Sequence, residues 1–139
     1  MNCGDEVPTR IVLDTSAYSH MRAAHAGVIR LIACAEAVLV PVTVLGELEG
    51  AFQLGRRTRE NRSVLASFLA EPFVAVLPAT VEVARRYGLI YAQLRRAGTP
   101  VPVNDIWISV ATMDCGARLV TFDRHFEKVE GLDCLMLDS

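Results

Sequence analysis

The chain has 139 residues, enough for one domain with a buried core. Its residues are 52% hydrophobic, but no apolar run approaches the roughly 20 residues of a membrane-spanning helix, and residues 1–9 lack the apolar segment of a signal peptide. A net charge of −2 argues against a strongly basic nucleic-acid binder but is compatible with a local basic patch. The four cysteines form no Cys-x-x-Cys pair, which argues against a zinc site or a disulfide framework. We therefore expect a cytoplasmic protein.

The chain is predicted to consist of a polar lead-in, residues 1–9, and a single domain, residues 10–139. Continuous apolar runs predict strands that are buried on both faces, at residues 11–13, 37–41, 73–77, 118–123 and 132–137. Amphipathic spacing predicts helices between them, at residues 17–25 and 27–35, from a Thr43 cap to Leu54, over residues 64–69, from a Thr80 cap to Gly98, and at 103–115. Alternating strands and helices predict an α/β fold with a central parallel sheet of about five strands.

Four acidic residues stand at predicted element boundaries. Two end the first and fourth strands, and two lie in the opening turns of helices that follow or precede a strand: Asp14, Asp123, Glu47 and Asp105. The carboxyl ends of parallel strands and the N-termini of the returning helices share one edge of such a sheet, where open α/β folds bind ligands. Each acid alone is equally well interpreted as a helix cap or a solvated side chain, but the four together predict an acidic cleft.

Clustered carboxylates repel each other, and no Lys or Arg at these strand ends neutralises them. A divalent cation would relieve the repulsion, and ligation by oxygen atoms alone favours Mg²⁺ or Mn²⁺. A hard cation in an acidic cleft commonly serves phosphoryl chemistry, because it lowers the pKa of a bound water and neutralises the phosphate.

Four ordered motifs span nearly the whole chain: L-D-T-S at residues 13–16, G-E-L-E-G-A at 46–51, V-N-D-I-W-I at 103–108 and L-V-T-F-D-R-H-F at 119–126. In this set the chain resembles the PIN-domain ribonucleases, and specifically the VapC-type toxins of bacterial toxin–antitoxin pairs. The D-T-S triplet alone has little specificity, whereas the ordered set is specific.

The resemblance implies a three-layer α/β/α fold with adjacent first and fourth strands. It also implies Mg²⁺- or Mn²⁺-dependent cleavage of RNA, a homodimer, and inhibition by a small cognate antitoxin. It implies catalytic and metal-binding roles for the four acids, Asp14, Glu47, Asp105 and Asp123, of which Asp123 matches the position that varies most in the family. Thr15 and Thr121 match hydroxyl positions that orient the acids or the water.

Several arginines are candidates for contact with RNA phosphates or with acidic residues of the antitoxin: Arg56, Arg57, Arg59, Arg62 and Arg124. The first four lie in a polar connection, residues 55–62, for which a solvated surface is an equally good interpretation. Arg124 and His125 follow Asp123 and are expected at the cleft rim. We do not assign His125 as a general base, because a metal-activated water makes one unnecessary.

Two other functions are open at this stage. A receiver-like or haloacid-dehalogenase-like phosphate-transfer domain also carries acids at strand ends, but here Ser16 stands two residues after Asp14, where such domains have a second Asp, and no Lys ends the last strand. A non-catalytic PIN-like module that binds RNA or protein is the stronger alternative, although the intact set of acids counts against it.

Overall fold

A computed structural model describes residues 10–139, and the predicted polar lead-in, residues 1–9, lies outside the described residues. In chain order the elements are β1 Arg10–Leu13, α1 Thr15–Arg22, α2 Ala26–Cys34, β2 Ala37–Pro41, α3 Val42–Leu54, α4 Thr58–Leu69, β3 Val74–Leu77, α5 Val81–Ala97, α6 Val103–Asp114, β4 Arg118–Thr121, a 3₁₀ helix Arg124–Lys128, and β5 Cys134–Met136.

The five strands form one parallel sheet in the order β3-β2-β1-β4-β5. The α/β prediction is therefore confirmed, and β1 lies between β2 and β4. The continuous apolar runs of these inner strands are buried, as in Ile11, Val12 and Leu13. The edge strand β3 is less covered, and Val76 on it is 43% exposed, because no strand lies beyond it.

Helices cover the sheet in a three-layer α/β/α arrangement, and two apolar clusters hold the layers together. The larger cluster joins the sheet to α1, α2, α3 and α4 and also includes Ile108 of α6. The smaller one joins α5 to α6 through Ile106, Val110, Ile90 and Leu94. Because α6 contributes to both clusters, its first turn is held firmly at the edge of the sheet, and that turn contains Asp105.

Some predicted boundaries are confirmed and others are wrong. Thr80 caps α5 by accepting the Val83 N–H at 3.2 Å, and Gly98 ends it with a positive φ of 67°, which glycine adopts without strain. Thr43 does not cap α3, because the helix already begins at Val42, with Pro41 in the cap position and no side-chain cap bond.

The predicted connection at residues 55–62 is also shorter than expected. Helix α4 begins at Thr58, so Arg59 and Arg62 lie on a helix rather than in a connection. Strand β4 ends at Thr121, two residues earlier than predicted, and Asp123 instead caps the 3₁₀ helix that follows.

Two further expectations concern cysteines and membranes. Cys115 and Cys134 are free thiols. Within residues 10–139, no helix combines the length and the apolar character needed to cross a bilayer.

Candidate functional site

Asp14 follows β1 directly and is the N-cap of α1. Its side chain is buried, with only 3% of the residue exposed. The carboxylate accepts hydrogen bonds from the Ser16 hydroxyl at 2.7 Å, the Ala17 N–H at 2.8 Å and the Thr121 hydroxyl. Burial raises the pKa of Asp14 above its usual range, although these hydrogen bonds work in the opposite direction. The orientation of the Asp14 carboxylate is therefore fixed by three hydrogen bonds.

Two hydroxyl groups join the ends of β1 and β4 around this carboxylate. Thr121 donates to Asp14 and accepts the Asp123 N–H at 3.0 Å. Ser16 donates to Asp14 and accepts the Phe122 N–H at 3.0 Å. The turn that leads to Asp123 is thus attached to the turn that leads out of β1.

We expect Thr121→Val to lower the free energy of unfolding by about 1–3 kcal/mol, because it leaves a buried carboxylate oxygen of Asp14 and the part-buried N–H of Asp123 unpaired. Urea unfolding measures this loss. Thr112→Val is the matched control, since Thr112 is equally buried but its hydroxyl bonds only the Ile108 carbonyl within α6. Equal losses in the two variants would contradict the role of Thr121 at this junction.

Glu47 lies on α3 and is held by residues from two other helices. The Thr15 hydroxyl donates to one carboxylate oxygen at 2.6 Å, and the Asn104 amide donates to the other at 3.5 Å. Glu49, two residues later, points elsewhere and pairs with Arg62 at 3.0 Å. The helical spacing predicts this separation, because residues two apart lie on different faces.

Three acids line an open cleft of about 410 Å³ together with residues of α6 and of the 3₁₀ helix: Glu47, Pro102, Val103, Asn104, Asp105, Asp123 and His125. Ligand atoms of Asp105, Asp123 and His125 all lie within 4.8 Å of one another. The His125 Nδ1 atom is 3.1 Å from an oxygen of Asp123 and 3.5 Å from an oxygen of Asp105.

The electrostatics of the cleft favour a bound cation. The pKa of Asp105 is raised to about 6, first by burial, then by the negative charges of Asp123 and Glu47, with a smaller contribution from Asp14. His125 acts in the opposite direction. Carboxylate oxygens with one imidazole nitrogen are a donor set that fits a divalent cation, and such an ion would balance the excess negative charge.

The sequence-based prediction and the geometry differ in detail. Glu47, Asp105 and Asp123 line one cleft, and Asp14 lies close enough to Asp123 for the charge of Asp123 to raise its pKa. The compact group of ligand atoms, however, includes His125, which the sequence argument placed only at the rim. The signal that could have identified His125 was its position two residues after Asp123, in a turn capped by that residue.

Asn104 was also missed, because only the three-dimensional structure brings it to Glu47. The predicted RNA- or partner-contacting arginines are exposed, and three of them pair with acids of the same chain. Arg57 lies 4.0 Å from Glu60, Arg62 lies 3.0 Å from Glu49, and Arg124 lies 2.7 Å from Glu127. Arg59 and Arg62 line a second groove, of about 420 Å³.

Comparison with known proteins gives a family and a fold. The family model described as PIN domain matches residues 11–132. No curated protein sequence shows significant similarity to the chain.

Three solved structures illustrate the fold. One is VapBC2 from Rickettsia felis bound to a promoter DNA fragment, with 20% identity, TM-score 0.82, and coverage of 93% of this chain and 99% of that one. VapBC-5 of Mycobacterium tuberculosis, a member of the VapBC family of toxin–antitoxin systems, has 23% identity, TM-score 0.71, and coverage of 95% and 100%. VapC20 of M. tuberculosis, a sarcin–ricin-loop-cleaving toxin, has 19% identity, TM-score 0.68, and coverage of 88% and 97%.

Proposed function

The chain belongs to the PIN-domain family, and we propose that it is a metal-dependent endoribonuclease that acts as the toxin of a VapC-type toxin–antitoxin pair. The observation that carries this proposal is the cleft lined by Glu47, Asp105 and Asp123 above the buried Asp14. Because all four acids are present, we favour an enzyme over a non-catalytic binding module.

In the proposed reaction the acids divide the work according to their surroundings. When bound, Mg²⁺ or Mn²⁺ supplies an activated water for hydrolysis of the RNA phosphodiester and neutralises the phosphate. Asp105 and Asp123 would bind the ion at the open cleft. Glu47, held by Thr15, would add a further carboxylate, since it lines the same cleft. Asp14 would ligate the ion through the carboxylate oxygen that accepts the Thr121 hydroxyl, because its other oxygen already accepts two hydrogen bonds.

The proposed substrate and partners rest on the family and on the similar structures. VapC20 is described as a toxin that cleaves the sarcin–ricin loop, and VapBC-5 belongs to a family of toxin–antitoxin systems. We infer that this chain cleaves RNA in the cytoplasm, forms a homodimer and is inhibited by a small cognate antitoxin. The candidate contacts to RNA or antitoxin are Arg56, Arg57, Arg59, Arg62 and Arg124.

The experiment that tests the function is cleavage of a panel of structured RNAs by the purified protein. We expect excess chelator to abolish cleavage and added Mn²⁺ or Mg²⁺ to restore it, because the cleft acids need the ion. We expect Asp14→Asn to be inactive and Glu130→Gln to be fully active. Glu130 is exposed and lies in the segment that leads to the amino end of β5, whereas the acids lie at the carboxyl ends of the strands. Cleavage in excess chelator would exclude the metal mechanism, and an inactive wild type that binds no metal would favour the non-catalytic module.

A further inference from the structure

We propose that His125 is a direct nitrogen ligand of the cation in this cleft, next to Asp105 and Asp123, and that it shifts the site's preference from Mg²⁺ towards Mn²⁺. This inference rests on the proposed metal-dependent function and deepens it. The sequence argument expected ligation by oxygen atoms alone, so the inference changes both the ligand set and the expected metal selectivity.

The distances around His125 are those of neighbouring ligands. Two adjacent ligands of an octahedral ion that lie about 2.1 Å from it are about 3.0 Å apart. The His125 Nδ1 atom lies 3.1 Å from Asp123 and 3.5 Å from Asp105. The three ligand atoms all lie within 4.8 Å of one another, so rotations of the side chains can bring them onto one face of a coordination shell.

The backbone holds His125 in this position. The Asp123 carboxylate caps the 3₁₀ helix by accepting the His125 N–H at 2.9 Å, and the next residue, Phe126, is 1% exposed and anchors the turn in the core. The imidazole itself is half exposed at the cleft. A ring held over two acids in this way, with its Nδ1 atom nearest to both, is arranged to bind an ion that enters from solvent.

A simpler role for His125 would be that of a cationic neighbour, in which a protonated imidazole neutralises Asp105 and Asp123. The two roles predict opposite effects on metal binding. A cationic neighbour repels the metal, so its removal would strengthen binding. A ligand contributes a bond, so its removal weakens binding, and it does so most for metals that favour nitrogen. Imidazole suits transition metals, whereas Mg²⁺ prefers oxygen ligands and retained waters.

The test measures binding of Mn²⁺ and Mg²⁺ to the full chain by calorimetry, and records the pulsed electron paramagnetic resonance spectrum of the bound Mn²⁺. We expect the wild type to show coupling of Mn²⁺ to an imidazole nitrogen, and the coupling to change when histidine is labelled with ¹⁵N. His125→Ala should lose the coupling and bind Mn²⁺ about tenfold or more weakly, with a smaller change for Mg²⁺. His125→Gln, which offers an oxygen, should bind Mg²⁺ without the nitrogen signal.

Lys128→Ala is the matched control, because Lys128 is exposed on the same 3₁₀ helix but does not line the cleft. It should retain both affinity and nitrogen coupling. A wild-type spectrum without nitrogen coupling, or a His125→Ala variant that binds Mn²⁺ as tightly as the wild type or more tightly, would overturn the inference. If the inference about His125 fails in this way but Asp105→Asn abolishes metal binding and cleavage, the proposed function still stands. A wild type that binds no Mn²⁺ and cleaves no RNA would overturn both.

Discussion

We expect Asp105→Asn to reduce RNA cleavage by more than about 100-fold, and at the same time to stabilise the metal-free protein at pH 7 by about 1–3 kcal/mol. Cleavage falls because the amide is a poor metal ligand, and even the partners that orient metal ligands matter 10- to 100-fold. Stability rises because burial disfavours the charge of Asp105, and the nearby charges of Asp123, Glu47 and Asp14 disfavour it further.

The pH dependence of stability tests this explanation. The pKa of Asp105 is about 6 in the folded chain against an ordinary value of 3.8, so between about pH 4 and pH 6 the folded state holds a proton that the unfolded state has lost. The contribution of Asp105 to the stability of the metal-free wild type therefore falls as the pH rises through this window. Asp105→Asn lacks this contribution, so its advantage should be absent near pH 4 and complete at pH 7.

Urea unfolding in chelator across this pH range measures the difference. Addition of Mg²⁺ or Mn²⁺ at pH 7 should stabilise the wild type more than the variant, because an ion that binds only the folded state favours folding. Glu130→Gln is again the control and should follow the wild type at every pH. Parallel pH profiles for wild type and Asp105→Asn would show that Asp105 is ionised without cost and that the cleft needs no cation at that position.

Asp14 should respond differently, because the proposal makes it a catalytic acid and the structure makes it the buried N-cap of α1. We expect Asp14→Asn and Asp14→Ala both to lose cleavage by more than about 100-fold, but only Asp14→Ala to lose substantial stability. The amide of Asn can still accept the Ala17 N–H and the Ser16 hydroxyl, and the Thr121 hydroxyl can turn to accept from the amide. Alanine removes the N-cap, which contributes about 1 kcal/mol, and leaves buried donors unpaired at about 1–3 kcal/mol.

Urea unfolding at pH 7 should therefore place Asp14→Ala about 2–4 kcal/mol below Asp14→Asn. Circular dichroism of Asp14→Asn provides the check that the fold is retained while cleavage is lost. An Asp14→Asn variant that cleaves RNA at the wild-type rate would remove Asp14 from the catalytic set. Equal stability of the two variants would mean that the hydrogen bonds around Asp14 contribute little to folding.

Local chemistry explains which elements were predictable. Residues 37–41 form β2 as predicted, because an apolar run that ends in proline can be recognised from adjacent positions. Thr80 and Gly98 bound α5 for the same reason. The predicted start of α3 was wrong because it assumed a threonine side-chain cap, whereas the helix begins directly after Pro41 without any side-chain cap. The start of α4 was wrong because a run of arginines at residues 56–62 is polar whether it forms a turn or a helix.

The candidate site was predictable as a set of acids but not as a geometry. The positions of Asp14 and Asp123 after strands, and of Asp105 in the first turn of a helix, follow from element boundaries. Element boundaries do not show which of these acids is buried. They also do not predict the hydrogen bond between Thr15 and Glu47, which are 32 positions apart. The approach of His125 to Asp105 likewise depends on the placement of the 3₁₀ helix beside α6.

The sequence by itself determined the order of strands and helices, the parallel sheet and the edge at which the four acids gather. These properties follow from hydrophobic spacing and capping, which act between near neighbours in the chain. Only the tertiary structure decided that Asp14 lies buried beneath the cleft, bonded to Thr121 from 107 positions away, while Asp105, Asp123 and His125 face one another at its surface. Contacts between residues so distant in the chain depend on how the layers pack, and no local pattern specifies them.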